Sequence, residues 1–332
     1  MERPLLRRTL PLLIVAVIAG NAGWHARKWY DKQHEQHAPR RVNSPRYVFT
    51  NPLLDVELPE GLTIDREPHP FKFKIVSFIN EQVQSKKAVN IAVYYRDLHD
   101  GPWFAINKNI EFNPASMMKV PVMIAWMKRA EEDPSVLQKR LHYVETKDAV
   151  PNQYTRPART LAAGKSYSVD ELLHYMMNYS DNRATSLLYH GLSDADINDV
   201  LDNMDVNNNP HDDANNLTIH GYSGFFRILY NAAYLNREMS EKALQLLSLQ
   251  DFPIGIVAGV PKEVKVAAKF GEIVPENNYG DIQLHEFGIV YHPKGHYILG
   301  IMTRGHDFAA QAEVIREISK IVYSSVDDSI KQ

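Results

Sequence analysis

The chain has 332 residues, of which 44% are hydrophobic and 23% charged, with a net charge of −3 and no cysteine. That length supports a core needing no staples, and the missing cysteine excludes a disulfide framework, a thiolate metal site, a cysteine nucleophile and a lipidated lipoprotein terminus. No basic stripe with interleaved aromatics is present, so nucleic-acid binding is excluded as well.

In chain order, "MERPLLRRTLPLLIVAVIAGNAGWHARKWYDK" comes first. Arg3, Arg7 and Arg8 precede an apolar stretch from Leu10 to Trp24, and polar sequence follows. This is the layout of an export signal. The stretch falls short of the roughly 20 residues of a full span, yet Trp24, Trp29 and Tyr30 suit a membrane interface, and Gly20 and Ala22 keep cleavage open. Residues 1–24 are read as a signal anchor in preference to a cleaved signal peptide, placing the chain outside the cytoplasm and tethered to the membrane. Residues 25–70, with "HAPRRVNSPR" and "DREPHP", read as a polar, proline-rich tether. The folded domain is expected over residues 71–332.

"FKFKIVSFINEQVQSKK" carries Phe73, Val76, Phe78, Ile79 and Val83 at helical spacing and predicts an amphipathic helix. "NIAVYYRDL" and "PWFAINKN", separated by "HDG", predict a hairpin. A helix follows with Ser116 near its start, where Asn113 can cap and Pro114 fits the first turn. The middle is mostly helical, with "VDELLHYMMNYS", "NRATSLLYHGL", "GYSGFFRILYNAAYL" and "SEKALQLLSL", broken by an Asn/Asp-rich loop from Asn198 to Asn216. Three strands, "EVKVAAKFG", "QLHEFGIVYHP" and "HYILGIMTRG", and a last helix, "FAAQAEVIREISKIVYSSV", complete the chain. The order predicts an α+β fold: an antiparallel sheet flanked by N- and C-terminal helices, with an inserted all-helical lobe. A cleft between the lobes is the natural place for a site.

Three short stretches carry chemistry. In "SMMK", Ser116 and Lys119 lie three apart and share a helix face, so the amine can reach the hydroxyl. As a base the lysine must be partly neutral; moving its pKa from about 10.4 towards 7 to 8 costs roughly 4 kcal/mol, which an apolar surrounding supplies. A snorkelling surface lysine has the same spacing. In "YSDN", Ser180 can relay a proton and the Asn182 amide can hold a carbonyl or Lys119, although Ser180 or Asp181 would equally cap the next helix. In "AAKFG", Lys269 can orient a carboxylate and Gly271 admits a ligand close to the backbone, as an exposed edge lysine before a turn glycine also would.

Together, and in this order, the three resemble the S-x-x-K, S-D-N and K-T-G signature of class A β-lactamases and penicillin-binding proteins. "KSYSVDELLHYMMNYSDNRATSLL", "YNAAYLNREMSEKALQLL" and "FGIVYHPKGHYILGIMTRG" resemble the matching segments, so the likeness runs from about Phe71 to the C-terminus. It implies an acyl-enzyme on a β-lactam or D-alanyl peptide, with no cofactor and no metal, in a monomer. Ser116 would attack, Lys119 would take its proton and Ser180 would return one to the leaving nitrogen. Asn182 would orient the substrate amide and Lys269 the substrate carboxylate, and the oxyanion would sit between the backbone N–H groups of Ser116 and Glu272.

Two departures stand out. Phe270 occupies the Thr/Ser position of the third motif and removes a hydroxyl from the carboxylate site, for which Arg304 is a possible substitute. The E-x-x-L-N pattern that supplies a deacylating glutamate is absent; Asp205, Asp212 and Asp213 are the nearest carboxylates. The expected function is a β-lactamase-type serine hydrolase with slow deacylation. The alternatives are a peptidoglycan DD-carboxypeptidase or transpeptidase, and an idle scaffold that binds cell-wall peptide.

Overall fold

The computed structural model describes residues 40–41, 48–50, 56–57, 71–99, 101–145, 153–203, 216–275 and 280–328. The chain divides into two units, Met1–Arg46 with Pro52–Ile64 and Tyr47–Asn51 with Asp65–Gln332. In the first, Arg40–Arg41 (β1) pairs antiparallel with Val56–Glu57 (β2). The apolar stretch from Leu10 to Trp24 lies outside the described residues, and no helix among those described is long and apolar enough to cross a membrane.

The second unit is built on an antiparallel five-stranded sheet. Its strands are β3 (Asn90–Asp97), β4 (Trp103–Ile106), β9 (Val266–Ile273), β10 (Ile282–Val290) and β11 (Tyr297–Gly305), in spatial order β4-β3-β11-β10-β9. Between β4 and β9 in the chain lie two short antiparallel pairs, β5 (Glu111–Phe112) with β8 (Leu217–Thr218) and β6 (Arg140–His142) with β7 (Ser166–Ser168). The strand alternation sorts their side chains into two cores. Ile91, Val93, Tyr95, Ala268, Phe270, Leu299 and Ile301 face the terminal helices α1 (Lys72–Gln84) and α8 (Phe308–Asp328), whose Ile75, Ile79, Ile315, Ile318 and Val322 complete that layer. Ala92, Tyr94, Ala267, Phe287, Ile289, Ile298 and Met302 face the helical lobe. The predicted fold class is thus the observed one.

The first helix buries a different face from the one its spacing suggests. Ile75, Ile79 and Gln82 are buried, whereas Phe73 is 78% exposed. The segment is apolar on several sides, and contact with α8 and β3 selects the side that packs.

The helical lobe comprises α2 (Lys119–Glu132), α3 (Val169–Asn178), α4 (Asn182–His190), α5 (Asp194–Asp202), α6 (Ile219–Asn231) and α7 (Arg237–Leu247). Pro121 is tolerated in α2 because a first-turn N–H has no intrahelical partner. Ser168 and Glu171 form a reciprocal cap that starts α3. Ser193 and Asp196 do the same for α5, so the segment read as loop from Asn198 is helical as far as Asp202. Asp196 also accepts two bonds from Arg129 of α2, at 3.0 and 2.7 Å.

Part of the stretch read as tether is docked on this unit. The Glu241 carboxylate accepts backbone N–H bonds from Val48, from Phe49 at 2.8 Å and from Thr50 at 2.8 Å. The Tyr291 hydroxyl donates to Phe49 O at 2.9 Å, and the two rings meet edge to face.

Candidate active site

The nucleophile candidate sits on a 3₁₀ turn, Ala115–Met118, that runs directly into α2. Asn113 accepts the Ala115 N–H at 2.9 Å, so it caps this tight turn and not an α-helix. With three residues per turn, positions 116 and 119 stack on one face. Ala115 has φ +49°, a left-handed conformation that costs a non-glycine residue energy and is held here by its surroundings. Those surroundings include the buried Tyr222, whose hydroxyl donates to Met117 O at 2.7 Å, and His285, whose Nε2 lies 3.1 Å from Asn113 O.

Ser116 is half-buried and lines a cleft of about 400 Å³ together with Lys119, Asn182, Gln153 and Glu272. Met118, Pro121, Val122, Ile197, Leu201 and Ile273 give the cleft an apolar wall.

Lys119 is 4% exposed and does not snorkel. Its Nζ donates to Ser180 O at 2.7 Å, Ser180 Oγ at 3.0 Å and Asn182 Oδ1 at 2.7 Å. These three acceptors suit an ammonium, and Ser116 Oγ is not among them. Burial nevertheless pulls the Lys119 pKa from 10.5 to about 7, against the carboxylates of Asp181 and Glu272, which push it up. Near neutrality the amine is therefore about half deprotonated. The lost proton frees a lone pair one turn from the Ser116 hydroxyl.

Ser180 lies between α3 and α4 with φ +55°. Its hydroxyl is shared: Lys119 donates from one side, and Lys269 from the other at 3.1 Å. Capping falls to its neighbour, since Asp181 accepts the Arg183 N–H at 2.9 Å and also holds Leu161 N at 2.8 Å and Thr160 Oγ1 at 3.0 Å. Both readings of "SDN" are realised on adjacent residues. Asn182 gives its Oδ1 to Lys119 and is itself one of the residues lining the cleft.

Lys269 is fully buried, in contrast to an exposed edge lysine. Its amine bonds Ser180 Oγ and, at 3.0 Å, Phe270 O, and it does not line the cleft. Burial and the neighbouring Lys119 amine push its pKa well below the ordinary value. Phe270 packs in the core with the terminal helices and stacks on Phe252, with ring centroids 4.3 Å apart, and the Lys269 amine lies 4.1 Å from the centre of its ring. The position that carries a hydroxyl in the family signature is here part of the core beneath the terminal helices.

The reason for Gly271 differs from the expected one. A Cβ there would lie 2.4 Å from Pro114 O and 3.1 Å from Met117 N. The glycine is required by the backbone of the nucleophile turn, which packs against β9, before any ligand is considered. Phe270 N donates off the sheet edge to Gln250 Oε1 at 2.6 Å. By the two-residue period of the strand, the Glu272 N–H leaves the same edge.

Arg304 is engaged elsewhere, donating to Asn90 Oδ1 at 3.3 Å and Glu111 O at 2.9 Å, and does not line the cleft. Asp205, Asp212 and Asp213 lie outside the described residues. Sequence reasoning used only the backbone of Glu272 and missed its side chain, which is in the cleft. It also missed Glu286, a fully buried carboxyl that accepts from Gln250 Nε2 at 2.8 Å and Ile256 N at 2.6 Å and that burial raises to about 7. A charged residue inside the apolar strand "QLHEFGIV" was the available signal.

Among solved structures, PBP-A aligns with a TM-score of 0.65 at 21% identity, covering 80% of this chain and 100% of its own. A PBP-A mutant captured as an acyl-enzyme with penicillin G aligns with a TM-score of 0.64 at 21% identity, covering 79% and 100%. A beta-lactamase from Xanthomonas campestris pv. campestris str. ATCC 33913 aligns with a TM-score of 0.66 at 18% identity, covering 78% and 99%. At these identities the likeness shows the fold. A search of curated proteins finds no match. The model of the Beta-lactamase enzyme family matches residues 74–326, most of the chain and all of the site. With Ser116, Lys119 and Asn182 lining one cleft and Ser180 bonded to Lys119 behind it, this chain belongs to the Beta-lactamase enzyme family.

Proposed function

We propose that this chain is a serine hydrolase that opens β-lactam rings through an acyl-serine intermediate and releases the product slowly. The observation that carries the reading is the buried Lys119 amine, held near pKa 7 beside a cleft-lining serine and sharing the Ser180 hydroxyl with a second buried lysine. A PBP-A mutant forms an acyl-enzyme with penicillin G, and we carry that step to Ser116.

In this mechanism Ser116 Oγ attacks the ring carbonyl while neutral Lys119 accepts its proton. Lys119 must first redirect toward Ser116 the lone pair freed by deprotonation; such contacts commonly tighten only once substrate binds. The tetrahedral oxygen is met by the N–H groups of Ser116 and Glu272, each such donor being worth about 3 to 4 kcal/mol. Ser180 passes a proton to the departing nitrogen, with Lys119 and Lys269 replenishing it. Asn182 Nδ2 orients the substrate amide. Slow release follows from the missing E-x-x-L-N glutamate. That absence also favours a DD-peptidase, in which an amine or water from the cell wall takes the acyl group. An idle scaffold is favoured by Phe270 alone. The N-terminal residues 1–24 would place the domain outside the cytoplasm, at the membrane.

The test incubates the chain with a fluorescent penicillin beside a Ser116→Ala control. Label that depends on Ser116 and fades as a chromogenic cephalosporin is turned over supports a lactamase. Label persisting for hours with no cephalosporin turnover points to the peptidase. No Ser116-dependent label, with no cephalosporin turnover, leaves the scaffold.

A further inference from the structure

We infer that the cleft continues, on the helical-lobe side of Ser116, into a preformed apolar trough that takes the straight aliphatic chain of an acyl group, so that medium-chain acyl esters are substrates of this site beside β-lactams. The inference rests on the acyl-serine reading and adds a second substrate class to it.

Three helical stripes make the trough. Asn182, Thr185 and Tyr189 line the cleft from α4, Ile197 and Leu201 from α5, and Met118, Pro121 and Val122 from the nucleophile turn and the start of α2. Their spacings put each group on a single helix face. Side-chain bonds fix the three helices to one another. Trp126 Nε1 of α2 donates to Leu188 O of α4 at 3.0 Å, and Arg129 of α2 donates to Asp196 of α5 at 3.0 and 2.7 Å and to Gly191 O at 2.8 Å. The trough is therefore built before any substrate arrives. Val122 and Leu201 are buried along it, and Tyr189 is half exposed at the end away from Asn182. From Asn182 to Tyr189 it follows α4 for about 10 Å, the length of roughly eight chain carbons at the ordinary C–C spacing.

The chemistry of the walls selects the occupant. Among the described lining residues only Lys119 and Glu272 carry charge, and both belong to the Ser116 end: Lys119 is one turn away, and Glu272 follows the glycine that packs on the nucleophile turn. The lining residues that α4 and α5 add beyond Asn182 are uncharged. Apolar walls facing open space lack dispersion partners, and an apolar occupant restores them. The part of a substrate that enters is the part that stays on Ser116. The departing atom must meet Ser180, which is bonded to Lys119 and is not among the lining residues, and the carbonyl oxygen turns to β9. With an ester, Ser116 Oγ bonds the acyl carbon as Lys119 takes its proton. The acyl C–O bond then breaks, the alcohol oxygen leaves with a proton from Ser180, and water releases the carboxylic acid and restores the serine. Each methylene seated in the trough should raise the acylation rate about threefold to fourfold.

The experiment gives the full chain the p-nitrophenyl esters of acetic, butyric, hexanoic, octanoic and decanoic acids. The second-order rate of the nitrophenolate burst, less that of Ser116→Ala, is read in the wild type, in Ile197→Asn and in Ile197→Trp. In the wild type it should climb about threefold to fourfold per methylene as far as octanoate and level off at decanoate. Ile197→Asn places an amide in the trough and should slow octanoate at least roughly tenfold while acetate stays within about twofold; Ile197→Trp should end the climb near butyrate. Should both variants misfold, the wild-type profile decides alone. A rate indifferent to chain length, an octanoate-to-acetate ratio unchanged in both folded variants, or no Ser116-dependent burst at all overturns the inference, and the acyl-serine reading survives if a penicillin still forms an adduct on Ser116. Neither burst nor penicillin adduct overturns both.

Discussion

Titrating the acylation rate against pH probes the chemistry where it is most exposed to error. Lys119 falls from 10.5 to about 7, a differential of about 5 kcal/mol between its two protonation states at about 1.4 kcal/mol per unit. An ordinary lysine would be neutral in roughly three molecules per ten thousand at pH 7; this one is neutral in about half, a gain of roughly a thousandfold in competent base. The rate constant for Ser116 acylation, measured by stopped flow or quenched mass spectrometry with a pH-independent reagent, should rise tenfold per unit at low pH. It should bend near pH 7 and level off by pH 8, with the rate at pH 6 about one fifth of that at pH 7. In Lys119→Ala the bend should vanish and the rate drop by about 10² to 10⁴. A rate still climbing tenfold per unit through pH 9 would mean an unperturbed amine. A flat profile from pH 5 to 8 would mean another base. Either result refutes the reasoning from burial to catalysis.

Other consequences follow from neighbouring groups. Gly271→Ala places a Cβ 2.4 Å from Pro114 O; the nucleophile turn and β9 must part, and acylation should fall about a hundredfold, a loss larger than any change in thermal midpoint would explain. Glu286 lies above the ordinary carboxylate pKa, at about 7. The folded protein thus binds its proton more tightly than the unfolded chain, and stability contributed by this group declines as pH rises from about 4.5 to 7, by up to about 3 kcal/mol. Denaturant titrations of Glu286→Gln at pH 5 and pH 8 should lose that share of the decline; an unchanged pH dependence would contradict it. Glu241→Ala removes the acceptor of three backbone N–H groups at Val48, Phe49 and Thr50. It should lower stability by about 2 kcal/mol and open this stretch to limited proteolysis, whereas identical melting and digestion would show the docking to be inconsequential.

The parts of the fold legible in the sequence are those written locally. Nearly continuous apolar runs such as "NIAVYYRD" and "HYILGIMTRG" show their strands because each lies between two apolar cores and is buried on both faces. "SMMK" and "SDN" show the site because a nucleophile, its base and its relay need short spacings or a helix junction. What stayed hidden depends on distant partners. The Glu272 side chain gains meaning only when Thr155 and Ser116 are beside it. Gly271 looked like a concession to a ligand until Pro114 O was found beneath it. Lys269 and Phe270 are neighbours in one motif, yet the Lys269 amine reaches the relay serine while the Phe270 ring stacks on Phe252. The docking of Phe49 could not be read from composition, because Glu241 lies 192 residues away.

The most direct test of the central claim is chemical. The full chain is treated with a penicillin and with its methyl ester, digested, and mapped by mass spectrometry beside Ser116→Ala. The account predicts one adduct of the intact reagent mass, with the ring opened and nothing lost, on the peptide that contains Ser116, and none in the variant. A folded protein that takes up neither reagent, or an adduct that survives in Ser116→Ala, contradicts it.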